Sequence, residues 1–90
     1  MQYKSSLLKE PSKTSVLALL NTGELDTALK QAQSLLDSSP MDAETQYVFG
    51  LTQLIAGEFG DAITWLEKAV TQFPDNEVFT ANLGVAYLKN

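Results

Sequence analysis

Displaced by 34 residues, the chain returns onto its own pattern: Glu10 meets Glu44, Leu17 meets Leu51, Leu20 meets Leu54, Gly23 meets Gly57, Glu24 meets Glu58, Ala28 meets Ala62 and Pro40 meets Pro74. A second step of 34 sets Gly50 against Gly84 and Leu54 against Leu88, and the sequence stops at Asn90, partway through a third unit. No other feature limits the fold so strongly. A unit this short cannot bury an apolar face alone and has to stack on copies of itself.

The matched residues indicate what each unit is. Gly23 and Gly57 each end an apolar segment, as a glycine in the left-handed conformation does at a helix C-terminus, and an acidic residue then opens the next segment, where it favours the helix dipole. Pro40 and Pro74 follow the second segment, where proline cannot continue a helix, with Asp42 and Asn76 placed to cap the next one. Each unit therefore reads as helix, glycine turn, helix, proline turn. Ala62, Ile63, Leu66, Ala69, Val70 and Phe73 fall on one stripe at helical spacing, and Leu25, Ala28, Leu29, Ala32, Leu35 and Leu36 repeat it. Alanines at 28, 62 and 69 let helix axes approach closely. Gly50 and Gly84 do the same inside the first helices, where glycine otherwise costs about 1 kcal/mol against alanine.

Composition removes most catalytic chemistry. The chain has no Cys and no His, so disulfides, thiolate nucleophiles, imidazole bases and nearly all zinc or haem ligation are excluded. Ser, Thr and Lys remain as nucleophile types, but none stands beside a base motif, and no glycine-rich phosphate loop occurs. Asp75 and Glu77 near Asn76 lack calcium-loop spacing. The reading is a non-enzyme with no catalytic residue, no metal and no cofactor. Eleven acidic residues against six basic ones give a net charge of -5, which repels phosphate backbones and anionic lipid. Nucleic acid and membranes are therefore not expected partners. With no signal-peptide-like run and no apolar stretch of spanning length, the expected location is cytoplasmic.

The motif Phe49-Gly50, Gly57-Glu58-Phe59, Ala62, Leu66, Ala69 and Pro74 resembles the tetratricopeptide repeat (TPR) family. Unit one matches at Gly23, Glu24, Leu25, Ala28, Ala32 and Pro40, with Val16 in place of the first-helix glycine and Leu35 in place of an alanine. Unit three offers Leu83, Gly84 and Tyr87. Gln53 stands where the family usually has an aromatic residue. The resemblance implies an all-α fold, an α–α superhelix of about two and a half TPR-like helix-turn-helix repeats with five helices. Residues 1–8 form an N-terminal arm and 9–90 the repeat domain, divided into repeat one at 9–42, repeat two at 43–76 and a half repeat at 77–90.

In that family the first helices line a concave face that holds an extended peptide or a partner helix. The resemblance places Lys13, Leu17, Tyr47, Leu51, Leu54, Ile55, Asn82 and Val85 in this peptide-binding groove. Leu17 and Leu51 stand where members that clamp chaperone tails carry a polar residue, and Val78 where a clamp Lys would sit, so a carboxylate-tail ligand is rejected in favour of an apolar peptide or amphipathic helix. Leu20, Leu54 and Leu88 serve either this groove or the core between helices. Trp65, off the main stripe, is either a packing residue or an exposed contact.

The last segment is apolar almost all round, although repeat arrays normally finish on a polar face. Leu83, Tyr87 and Leu88 form an expected self-association face, giving a homodimer through the C-terminal helix. Asn90 occupies the place of Ala56, just before a turn glycine, which reads as an amino-terminal fragment of a longer TPR protein. The expected function is a protein-protein interaction scaffold for another protein or peptide. The alternative is a self-association or docking module attached to a downstream enzyme domain.

Overall fold

The two turn glycines do the work assigned to them. In the computed structural model, which describes residues 11–90, Gly23 and Gly57 hold φ of 82° and 86°. Glu24 N donates to Leu19 O at 2.9 Å and Gly23 N to Leu20 O at 3.2 Å; one repeat later, Glu58 N donates to Gln53 O at 2.9 Å and Gly57 N to Leu54 O at 3.1 Å. This paired pattern satisfies the last carbonyls of the preceding helix and turns the chain back on itself. The proline turns recur equally closely. Asp42 N donates to Ser39 O at 3.2 Å and Asn76 N to Phe73 O at 3.0 Å. The Asp42 and Asn76 side chains then accept from Thr45 N and Phe79 N, each at 3.0 Å, and start the next helices.

Five helices result among the described residues, with no strand: α1 Lys13–Asn21, α2 Leu25–Ser38, α3 Ala43–Ala56, α4 Phe59–Gln72 and α5 Glu77–Lys89. Consecutive helices pack in chain order, as in a helical repeat, and α3 touches both α1 and α5 as well. None of these helices is long and apolar enough to cross a membrane. Helix α1 starts four positions later than the register of α3 would place it, because Ser12, with φ -152° and ψ 158°, caps it by accepting from Ser15 N. The arm at 1–8 and the first two residues of repeat one lie outside the described residues.

Small residues set the helix spacing. Ala28, Ala32, Ala62, Ala69 and Ala86 are fully buried, and a Cβ on Gly50 would stand 2.8 Å from Leu66 Cγ, so α3 and α4 cross in close contact. Unit one reaches the same fit with the sizes exchanged. Val16 takes the place of Gly50 and Ala32 the place of Leu66, and both are fully buried in one cluster with Ala28, Leu36, Val48 and Phe49. A second cluster joins Leu54, Ala62, Leu66 and Ala86, and a third joins Ala43, Ala69 and Phe79. Tyr47 packs against all three. Trp65 is a packing residue, its ring edge-on to Phe49 at 5.7 Å and covered by Lys68 Nζ at 5.4 Å.

Two expectations need correction. Phe73 is the C-cap of α4, with non-helical φ of -134° and ψ of 74°, and is exposed, so the stripe stops at Val70. Gly84 has no close neighbour among the described residues: a Cβ there would meet nothing within 4 Å. Buried polar groups were also absent from the sequence reading. Gln46 donates to Pro40 O at 2.8 Å and accepts from Gln72 at 2.9 Å, which pins the end of α4 to the proline turn.

Candidate functional site

The first helices bring Lys13, Leu17 and Tyr47 together around one pocket. It has a volume of about 200 Å³ and lies between α1, α3 and the start of α5, with Thr14, Glu44, Val48 and Phe79 completing the lining. Helical spacing puts Lys13 and Leu17 on one side of α1, and Glu44, Tyr47 and Val48 likewise share a side of α3. The floor is aromatic. The rings of Tyr47 and Phe79 stack with centroids 4.6 Å apart and planes 21° from parallel. Asn82 Nδ2 donates to the Tyr47 hydroxyl at 3.1 Å and to Val78 O at 3.1 Å, fixing the ring from the α5 side. Burial raises the Tyr47 phenol above its ordinary pKa. Leu17 is 41% exposed and supplies an accessible apolar wall.

The rim is ionic, and its one cation among the described residues, Lys13, is already engaged. Lys13 Nζ lies 2.8 Å from Asp42 Oδ2 and 3.1 Å from Glu44 Oε1. The hydrogen bond from Lys13 is the largest influence on Asp42, followed by those from the Thr45 hydroxyl and backbone, and together they hold its carboxyl at about 2. Lys13 is raised in turn, first by Asp42 and then by Glu44. Among the described residues, one ammonium between two carboxylates leaves the rim with a net negative charge. The mouth therefore disfavours an anionic ligand and leaves apolar contact as the main attraction.

The remaining groove residues are placed less uniformly. Leu51 is half-buried and packs, like Tyr47, against the Leu54–Ala62–Leu66–Ala86 cluster. Leu54 is itself only 8% exposed, because the close α3–α4 crossing covers it, so it belongs to the core and presents little surface to a ligand. Ile55 is exposed but borders a different, small cavity of about 160 Å³ with Leu20, Gly23 and Leu25. Val85 is exposed on α5, outside the lining of the Lys13–Leu17–Tyr47 pocket. Val48 and Phe79 were missed by sequence reasoning. Phe79 stands 34 residues after Thr45, so the period pointed to a polar position there; its place in the first turn after Asn76 was the available signal.

The three residues of the expected self-association face are divided by the structure. Leu83 is half-buried against the second cluster, Tyr87 leans on α4 with its hydroxyl donating to Glu67, and Leu88 stands 88% exposed. The Glu67 carboxylate raises the Tyr87 phenol. A larger cavity, of about 570 Å³, lies between α1 and α2 and is lined by Ser15, Ala18, Leu19, Thr22, Glu24, Thr27 and Gln31. Its size does not make it the binding site. The 34-residue register maps this lining onto the side of unit two that carries Phe49, Thr52 and Trp65, of which Phe49 and Trp65 pack into the cluster shared with α2. It is therefore the unit-one counterpart of that packed side. No protein-family model and no curated protein matches this chain.

Proposed function

We propose that this chain is a protein-interaction scaffold of the tetratricopeptide type, holding an apolar peptide or amphipathic helix across the face built by α1, α3 and α5. The observation that carries this reading is the pocket in which the exposed side of Leu17 stands over the stacked Tyr47 and Phe79 rings. An apolar anchor of the ligand fills it, while Lys13, among the described residues the cation lining the pocket, is already paired with Asp42 and Glu44. Repeats that agree in turn and cap geometry support the family reading.

The test is selection of a random peptide display library on the purified chain. Selected peptides are expected to share an apolar anchor and to bind about tenfold or more weakly to Leu17→Asp, a loss of roughly 1.4 kcal/mol or more. Leu17 is exposed enough for this change to leave the helical circular dichroism intact. Failure to enrich any binder, or binding indifferent to both Leu17→Asp and Val85→Asp, rules this face out.

A further inference from the structure

Phe73, at the turn between α4 and α5, is an exposed ring that the Leu17 pocket does not include. It lines a second cavity of about 200 Å³ with Asp42, Glu44, Asn76 and Phe79. Glu44 and Phe79 also line the Leu17 pocket, so the two cavities adjoin. Phe79 is buried whereas Phe73 is 55% exposed, which gives the second cavity an aromatic wall open to solvent.

The acids beside that wall are only half used. The Thr45 amide and hydroxyl and Lys13 Nζ all bond Asp42 through Oδ2, and Lys13 reaches Glu44 through Oε1. Among the described residues, Asp42 Oδ1 and Glu44 Oε2 accept no hydrogen bond. Asp75 and Glu77, exposed on either side of Asn76 in the chain, add two carboxylates that form no salt bridge among the described residues. Glu44 and Glu77 favour the dipoles of α3 and α5 from the first turn. The dipoles do not account for an open ring standing beside the acids.

We propose that the ligand held in the Leu17 pocket carries an arginine next to its apolar anchor, and that this arginine enters the Phe73 cavity. Asp42 and Glu44 already meet on one ammonium, so they stand close enough for one guanidinium to bridge them. Its plane lies on the Phe73 ring while its forked N–H groups donate to Asp42 Oδ1 and Glu44 Oε2, with Lys13 left in place. Lysine, a point charge on a flexible stem, cannot stack and bridge together. The inference rests on the scaffold reading and narrows it: the partner segment is basic as well as amphipathic.

The experiment carries out the display selection on the parent chain and on Phe73→Ser. A synthetic peptide selected on the parent is then titrated by fluorescence anisotropy, alongside versions with citrulline or lysine in place of its arginine. Peptides from the parent are expected to hold an arginine at one fixed distance from the apolar anchor, and those from Phe73→Ser to keep the anchor without it. Citrulline, the uncharged isostere, should bind the parent about tenfold more weakly than arginine, and lysine about threefold more weakly. On Phe73→Ser and on Glu44→Gln the citrulline penalty should shrink to about threefold or less. The citrulline peptide itself should bind Phe73→Ser within about twofold of the parent, separating the arginine cavity from the anchor pocket. Both positions are exposed, so the variants keep the fold, which their melting curves check. Selected anchors with no arginine preference, or a citrulline penalty unchanged in both variants, overturn this inference and leave the Leu17 pocket standing. Failure to enrich any binder overturns both.

Discussion

Gly50 and Leu66 meet so closely that a methyl group on Gly50 would lie 2.8 Å from Leu66 Cγ and 3.2 Å from the Leu66 backbone nitrogen. A side chain can rotate away from such a contact; a backbone nitrogen moves only if the helix moves. The crossing of α3 and α4 is therefore set by the absence of one carbon atom.

Gly50→Ala should destabilise the chain by about 1–3 kcal/mol, even though alanine is the better helix former. The double variant Gly50→Val with Leu66→Ala reproduces the Val16–Ala32 pairing of unit one and should recover much of what Leu66→Ala alone loses, about 2–5 kcal/mol. Urea denaturation of the two single variants and the double measures both effects. Strict additivity would show that the exchanged sizes in the two units are unrelated.

The tie between Lys13 and Asp42 makes a prediction in acid. Asp42 has its carboxyl lowered from 3.8 to about 2, so its contribution is fully present above pH about 4 and is lost as the pH falls through about 2. Asp42→Asn keeps a capping oxygen and removes only the charge. With both side chains substantially exposed, solvent screening holds the difference at pH 7 to about 1 kcal/mol or less. Thermal melts of the two proteins should converge between pH 4 and pH 2, and also at high salt. A gap that persists at pH 2 would assign the difference to something other than this ion pair.

Tyr47 separates hydrogen bonding from packing. Tyr47→Phe removes the acceptor for Asn82 but keeps the stack on Phe79, and Asn82 still donates to Val78 O, so the loss should be about 0.5–1.5 kcal/mol. Tyr47→Ala removes the ring that all three clusters share and should cost about 3–5 kcal/mol. Chemical denaturation distinguishes them, and equal losses would mean that the ring contributes nothing beyond its hydroxyl.

The elements that repeat were legible because they depend on local chemistry. Glycine at 23 and 57, proline at 40 and 74, and the caps at 42 and 76 each act within a few residues, so the order and turns of the helices follow from the letters alone. The pocket was only partly legible. Lys13, Leu17 and Tyr47 come together as the register implied, but Leu54 and Ile55, neighbours in sequence, part company because the tight α3–α4 crossing buries one and leaves the other outside. Phe79 was hidden by a period that holds Thr45 at the matching place. The pairing of Lys13 with two carboxylates arises between helices, and no spacing within one helix announces it.

Tyr47 belongs to no single repeat, since its ring touches every cluster from Val16 to Ala86. The three clusters of the stack are therefore joined through one shared side chain. An occupant pressing on that ring would be felt along the whole length of the molecule, slowing amide exchange in helices it never reaches.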